Sequence, residues 1–182
     1  VTGGSGTGTD SNGGAGIGGG ATVSNGEVNA MGSNITISGS DTVVDAIGTD
    51  GGAGIGGGNG GQGQYIEITD GTVKASGSNG GGAGIGGGNA VSAGLSPRGN
   101  NIKISGGNVI ATGGSAGGAG IGGGNGSASS VKKGGNGVTI SGGKITGDVA
   151  AVNYDGGGAK ANVEVTGDAE IIGSLKTCNY DG

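Results

Sequence analysis

Apolar residues recur at every second position in short runs, and the runs themselves recur along the chain. The clearest run is Ile102-Lys103-Ile104-Ser105-Gly106-Gly107-Asn108-Val109-Ile110-Ala111-Thr112-Gly113. Ile102 and Ile104 alternate with Lys103 and Ser105, and Val109 and Ala111 alternate in the same way. A period of two predicts strands with one apolar and one polar face. Residues 66–77 repeat the unit with Asp70-Gly71 at the turn, and residues 35–48 repeat it with a longer turn. Residues 23–32 fit from the second apolar position onward, and residues 138–145 repeat the first half.

Ile104 and Val109 are five positions apart, so a continuous strand would place them on opposite faces. The Gly106-Gly107 pair must therefore turn the chain so that both point inward. A tight hairpin does this, and Gly-Gly and Asp-Gly are favoured hairpin loops. A corner of a parallel coil does it as well. The arms are too short for an isolated hairpin to be stable, whereas repeated units can stack Ile on Ile and Val on Val. The expected fold is all-β, a right-handed parallel β-helix with one rung per 25–36-residue repeat. Stacked antiparallel β-hairpins are the alternative.

A second pattern alternates with the first. Gly-Gly-Ala-Gly-Ile-Gly-Gly-Gly occurs unchanged at residues 13–20, 51–58, 81–88 and 117–124. A catalytic motif normally occurs once, and a string repeated at this spacing is an architectural unit. It reads as the third face of each coil, with Ile17, Ile55, Ile85 or Ile121 pointing inward. So many ordered glycines are entropically costly, which implies a backbone packed too closely to admit a Cβ. The string is lost after Gly124. Residues 145–156 and 171–182 then match each other, aligning Val149 with Leu175 and Val152 with Cys178. One β-helix domain over 1–182 is expected, with Gly-rich rungs over 1–137 and less Gly-rich rungs over 138–182. Six or seven rungs at about 4.8 Å each would reach roughly 30 Å.

Composition narrows the chemistry. Glycine supplies 57 of 182 residues, but there is one Pro and no Gly-X-Y period, which excludes collagen. There is no His, Trp or Phe, so no Ser/His or Cys/His triad can form within this chain. The single Cys178 leaves no internal disulfide and aligns with an apolar position. Acidic residues are spread, and Asp70, Asp155 and Asp181 each precede Gly, as turn residues do. A carboxylate pair for sugar cleavage is not suggested. The Gly-rich Ca²⁺ nonapeptide needs Asp where this chain has Gly18, Gly56, Gly86 and Gly122. The strings lack the Lys-Ser/Thr of a phosphate loop. No cofactor and no catalysis are expected. A net charge of −5 gives no basic face for nucleic acid, and no apolar run reaches membrane-spanning length. The chain opens Val1-Thr2-Gly3 with Gly-rich sequence already under way, as expected of part of a longer, multidomain protein.

Between each Gly string and the next arm lies a segment of variable length, at residues 59–65, 89–101 and 125–137. In a stacked fold all three leave from one corner and form a shelf, and insertions on one face of a solenoid often carry binding. The candidate ligand-binding residues are Gln62, Gln64, Tyr65, Arg98, Lys132 and Lys133 on this shelf, with Tyr154 and Tyr180 in the C-terminal rungs. Three tyrosines are the only aromatic surfaces on which a sugar could stack.

The Ile-Ser-Gly-Gly and Gly-Ala-Gly-Ile-Gly-Gly-Gly elements resemble the Gly-rich repeats of bacterial, Gram-positive-type cell-surface adhesin-like proteins. The C-terminal rungs resemble the pectin-lyase-like right-handed β-helix superfamily, including its carbohydrate-binding members. The resemblance implies a secreted or wall-attached extracellular setting and a glycan or surface polysaccharide as partner. It carries no catalytic residue onto this chain. A spacer that presents other domains is the alternative, and a polysaccharide lyase, a hydrolase or an ice-binding surface fit less well.

Overall fold

The computed structural model describes residue 3 and residues 13–21, 30–89, 98–125, 137–153 and 163–179, without the side chains of 151–153 and 176–179. The chain winds as a coil of three strands per turn. A short strand β1 (Ile17–Gly18) leads in. The first full rung is β2 (Gly32–Ile37), β3 (Val43–Ile47) and β4 (Ile55–Gly56). The second is β5 (Gly63–Ile68), β6 (Thr72–Ser76) and β7 (Ile85–Gly86). The third is β8 (Gly99–Ile104), β9 (Asn108–Thr112) and β10 (Ile121–Gly122). The fourth is β11 (Val138–Ile140), β12 (Lys144–Thr146) and β13 (Val149–Asn153), and the fifth is β14 (Val163–Val165), β15 (Glu170–Ile172) and β16 (Leu175–Asn179).

Each strand pairs with its counterpart one rung away, always in parallel. The sheets run β2-β5-β8-β11-β14, β3-β6-β9-β12-β15 and β1-β4-β7-β10-β13-β16. Consecutive strands such as β8 and β9 lie in different sheets, so the Gly106-Gly107 turn is a corner and not a hairpin. The local turn chemistry suits both geometries. The corner prevails because it pairs every arm with a full neighbour above and below. The architecture is a right-handed parallel β-helix, the hand that parallel crossovers nearly always take.

The register puts like on like. Ile66 pairs with Ile35 and Ile102, and Val73 pairs with Val44 and Val109. Ile17, Ile55, Ile85 and Ile121 form one column, which Val149 and Leu175 continue. Val152 stands opposite Cys178, as the C-terminal alignment requires. Ile104 and Val109 are both fully buried despite their odd spacing. The corner between them is made by Gly107 at φ +84°, and it stacks on its neighbours as Asn108 N donates to Gly71 O and Lys144 N to Gly107 O. The core is a thin column of Ile, Val and Ala without an aromatic ring. Burying each Ile side chain contributes roughly 1.5–3 kcal/mol.

The Gly-rich face shows why its glycines are required. Gly56 adopts φ +133°, and a Cβ there would run into the Gly86 carbonyl oxygen. Gly18, Gly86 and Gly122 repeat both features against Gly56, Gly122 and Ala150. Of residues 23–32, only 30–32 are described: Ala30 O accepts from Gly58 N, and Gly32, which opens β2, pairs with Gly63. The repeat-like stretch 23–29 lies outside the described residues. Among the described residues one sheet has six strands and each of the others five.

Candidate functional site

The first arm begins with an irregularity. Asn34, Tyr65 and Asn101 occupy successive rungs at φ 56°, 54° and 51°, and Gly137 continues the column at φ 72°. The cause lies in the spacing. Gly63 and Ile66 are both buried although three residues apart, which simple alternation forbids. One left-handed residue between them turns the chain and restores the inward face. Gly suits such a position and Asn tolerates it, but left-handed backbone costs an ordinary residue roughly 1–2 kcal/mol. Tyrosine has no local hydrogen bond to offset that cost. A bulky residue held in this conformation points toward a function for its side chain.

Tyr65 is 56% exposed. It stands over a groove of about 310 Å³ lined by Asn34, Thr36, Tyr65, Ile66, Glu67, Asn101 and Lys103. Glu67 is the register neighbour of both Thr36 and Lys103. On the adjacent sheet, lysines one rung from a carboxylate close ion pairs, Lys74 to Asp45 at 3.8 Å and Lys144 to Glu170 at 3.6 Å. Among the described residues, Glu67 and Lys103 form no such pair and both face the groove. The arrangement offers an aromatic face, two amides, a carboxylate and an ammonium to one bound molecule.

Of the described candidates from sequence, Tyr65 alone lines this groove. Gln62 and Gln64 precede Tyr65, and Arg98 stands one rung on, its carbonyl accepting from Gly63 N. Gln62 Oε1 accepts from Asn100 Nδ2 at 3.1 Å, tying the two rungs of the shelf. Gln64 reaches back to the Met31 sulfur at 3.8 Å. Lys132, Lys133, Tyr154 and Tyr180 lie outside the described residues. Asn34 and Asn101 were missed by pattern reading. Their signal is an Asn immediately before the inward Ile of the first arm, at Asn34-Ile35 and Asn101-Ile102.

A second set of asparagines is structural. Asn59, Asn89 and Asn125 each follow a Gly string, and their backbone nitrogens donate to Gly13, Gly51 and Gly81. Asn59 is buried and its Nδ2 donates to Asp50 O at 2.7 Å. Carboxylates at corners serve the backbone in the same way. Asp70 accepts from Gly71 N at 2.7 Å, and Asp148 accepts from Ser174 N and Oγ at 3.0 and 2.8 Å. Among the described residues no three His, Cys, Asp or Glu side chains gather as a metal site would need. Nor is any described helix long and apolar enough to cross a membrane.

The family described as Beta helix repeat matches residues 35–59, 66–89 and 102–125. Each match opens on the first inward Ile of an arm and closes on the Asn after the Gly string. Three successive rungs of the coil thus match a β-helix repeat. No curated protein and no solved structure matches the chain significantly. The β-helix repeat accounts for the core and the corners, while Tyr65 and the groove vary from rung to rung upon it.

Proposed function

We propose that this β-helix is a non-catalytic extracellular surface module that binds a glycan in the groove around Tyr65. The observation that supports it best is the exposed Tyr65 ring, held in a left-handed conformation between Asn34 and Asn101. An aromatic ring stacks on the apolar C–H face of a sugar. Asn34 and Asn101 lie one rung to either side, placed to hydrogen-bond the flanking hydroxyls. Glu67 accepts and Lys103 donates, so together they satisfy vicinal hydroxyls that both give and receive hydrogen bonds. The groove lies at the small end of ligand sites, which run to about 300–1,000 Å³. That size suits one or two sugar units of a longer chain. A cell-wall-attached or secreted protein of several domains would present such a module to a surface polysaccharide.

A glycan array followed by calorimetric titration of the best binder tests this. Binding that Tyr65→Ala abolishes is expected. Absence of any binder, or a binder whose affinity Tyr65→Ala leaves unchanged, would overturn the reading.

A rigid spacer is the second reading. It is favoured by the Gly-rich face, whose backbones stack too closely for a Cβ at Gly18, Gly56, Gly86 and Gly122, the same position in each copy of the string. On that reading the groove carries no ligand, and deleting whole rungs shortens the reach of flanking domains without other effect.

A further inference from the structure

The corner between the second arm and the Gly string holds a chemically reactive dipeptide, and the molecule supplies its own control. Asn79 and Gly80 are the central residues of a turn closed by Gly81 N donating to Ser78 O at 3.0 Å. Asn59 and Gly60 are the central residues of another four-residue turn, closed by Gly61 N donating to Gly58 O at 2.8 Å, with Gly60 at φ +81°. Sequence and turn position match, but the surroundings do not. Asn59 is buried with its amide held by Asp50 O, and Gly60 N donates to Asn89 O at 2.6 Å. Asn79 is exposed. Among the described residues, Gly80 N makes no backbone hydrogen bond and the Asn79 amide makes none.

We infer that Asn79-Gly80 is a site of spontaneous backbone-assisted deamidation in the folded protein, and that Asn59-Gly60 is protected. The Gly80 nitrogen attacks the Asn79 side-chain carbonyl carbon and gives up its proton to a solvent base. The Cγ–Nδ2 bond breaks, ammonia leaves, and a five-membered succinimide forms. Water then opens the ring at either carbonyl, giving Asp or its isomer linked through the side chain. Glycine at the following position lacks a Cβ to obstruct the attack, and a free nitrogen and a mobile amide are both required. Of these two described pairs, Asn79-Gly80 alone meets both conditions. The product places a carboxylate in the 280 Å³ concavity that Asn79 shares with Thr49, Asp50 and Ser78. A second negative charge beside Asp50 and an added backbone methylene in the isomer would loosen this corner, where Ser78 Oγ now accepts from Gly51 N at 2.5 Å.

The test is incubation of the folded protein in mildly alkaline buffer, with peptide mapping by mass spectrometry over time. The amide-to-acid mass change at Asn79 should outpace that at Asn59 by about tenfold or more, because the Asn59 corner must first open. In urea the two rates should converge, which shows that the fold sets the difference. Asn79→Gln should remove the early product. Equal rates in the folded protein, or conversion at Asn79 only after unfolding, would overturn the inference.

Discussion

Gly56 lies one rung from Gly86, in register, so close that a Cβ on Gly56 would occupy the space of the Gly86 carbonyl oxygen. Its φ of +133° is closed to ordinary side chains as well. Two independent constraints therefore meet at one position. They explain why glycine stands at this place in all four copies of the string.

Gly56→Ala is therefore expected to destabilise the protein by about 3 kcal/mol or more, from strain and clash together. Gly20, in the first copy of the string, is the control, since a Cβ there meets nothing within 4 Å. Gly20→Ala should be neutral or stabilising by up to about 1 kcal/mol. Urea titration followed by circular dichroism distinguishes the two. Equal effects would show that glycine content, and not rung contact, decides stability.

Ile85 sits mid-column between Ile55 and Ile121 and is fully buried. Truncation there opens a void that stacked backbones cannot collapse to fill. Ile85→Ala should cost about 2–5 kcal/mol and Ile85→Val about 0.5–1.5 kcal/mol. Ile110, on the outer face of the second arm, is 37% exposed, and Ile110→Ala should change stability by no more than about 0.5 kcal/mol. The same denaturation measurement checks all three.

Tyr65→Asn separates stability from binding. Asn is the residue already found in this conformation one rung to either side. Replacement should stabilise the fold by about 1 kcal/mol through relief of left-handed strain, while glycan binding is lost with the ring. A loss of stability would show that the ring is retained for packing, which would remove the main support for the groove as a site.

The exposed pair of Lys74 and Asp45 should contribute little. Both side chains are 57% exposed at a separation of 3.8 Å. Lys74→Ala is expected to shift stability by less than about 1 kcal/mol, and the shift should shrink as salt is added. Thermal melts at low and high ionic strength measure it.

Much of this was legible in the chain itself. Alternation at Ile102 and Ile104 gave the strand faces, the recurrence of the unit gave the stacking, and the glycine string announced a surface without room for a Cβ. Alignment of the C-terminal units placed Val149 against Leu175 before any coordinate did. These features were readable because a solenoid rung contacts mainly its neighbours, so local pattern and tertiary contact coincide. Tertiary structure decided the rest. Gly106-Gly107 serves a hairpin or a corner equally well, and only pairing between rungs selects the corner. The left-handed backbone of Tyr65 was invisible in the pattern because it follows from burying both Gly63 and Ile66. Likewise the open charges of Glu67 and Lys103 arise from register across separate turns of the coil, a relation that no spacing along the chain records.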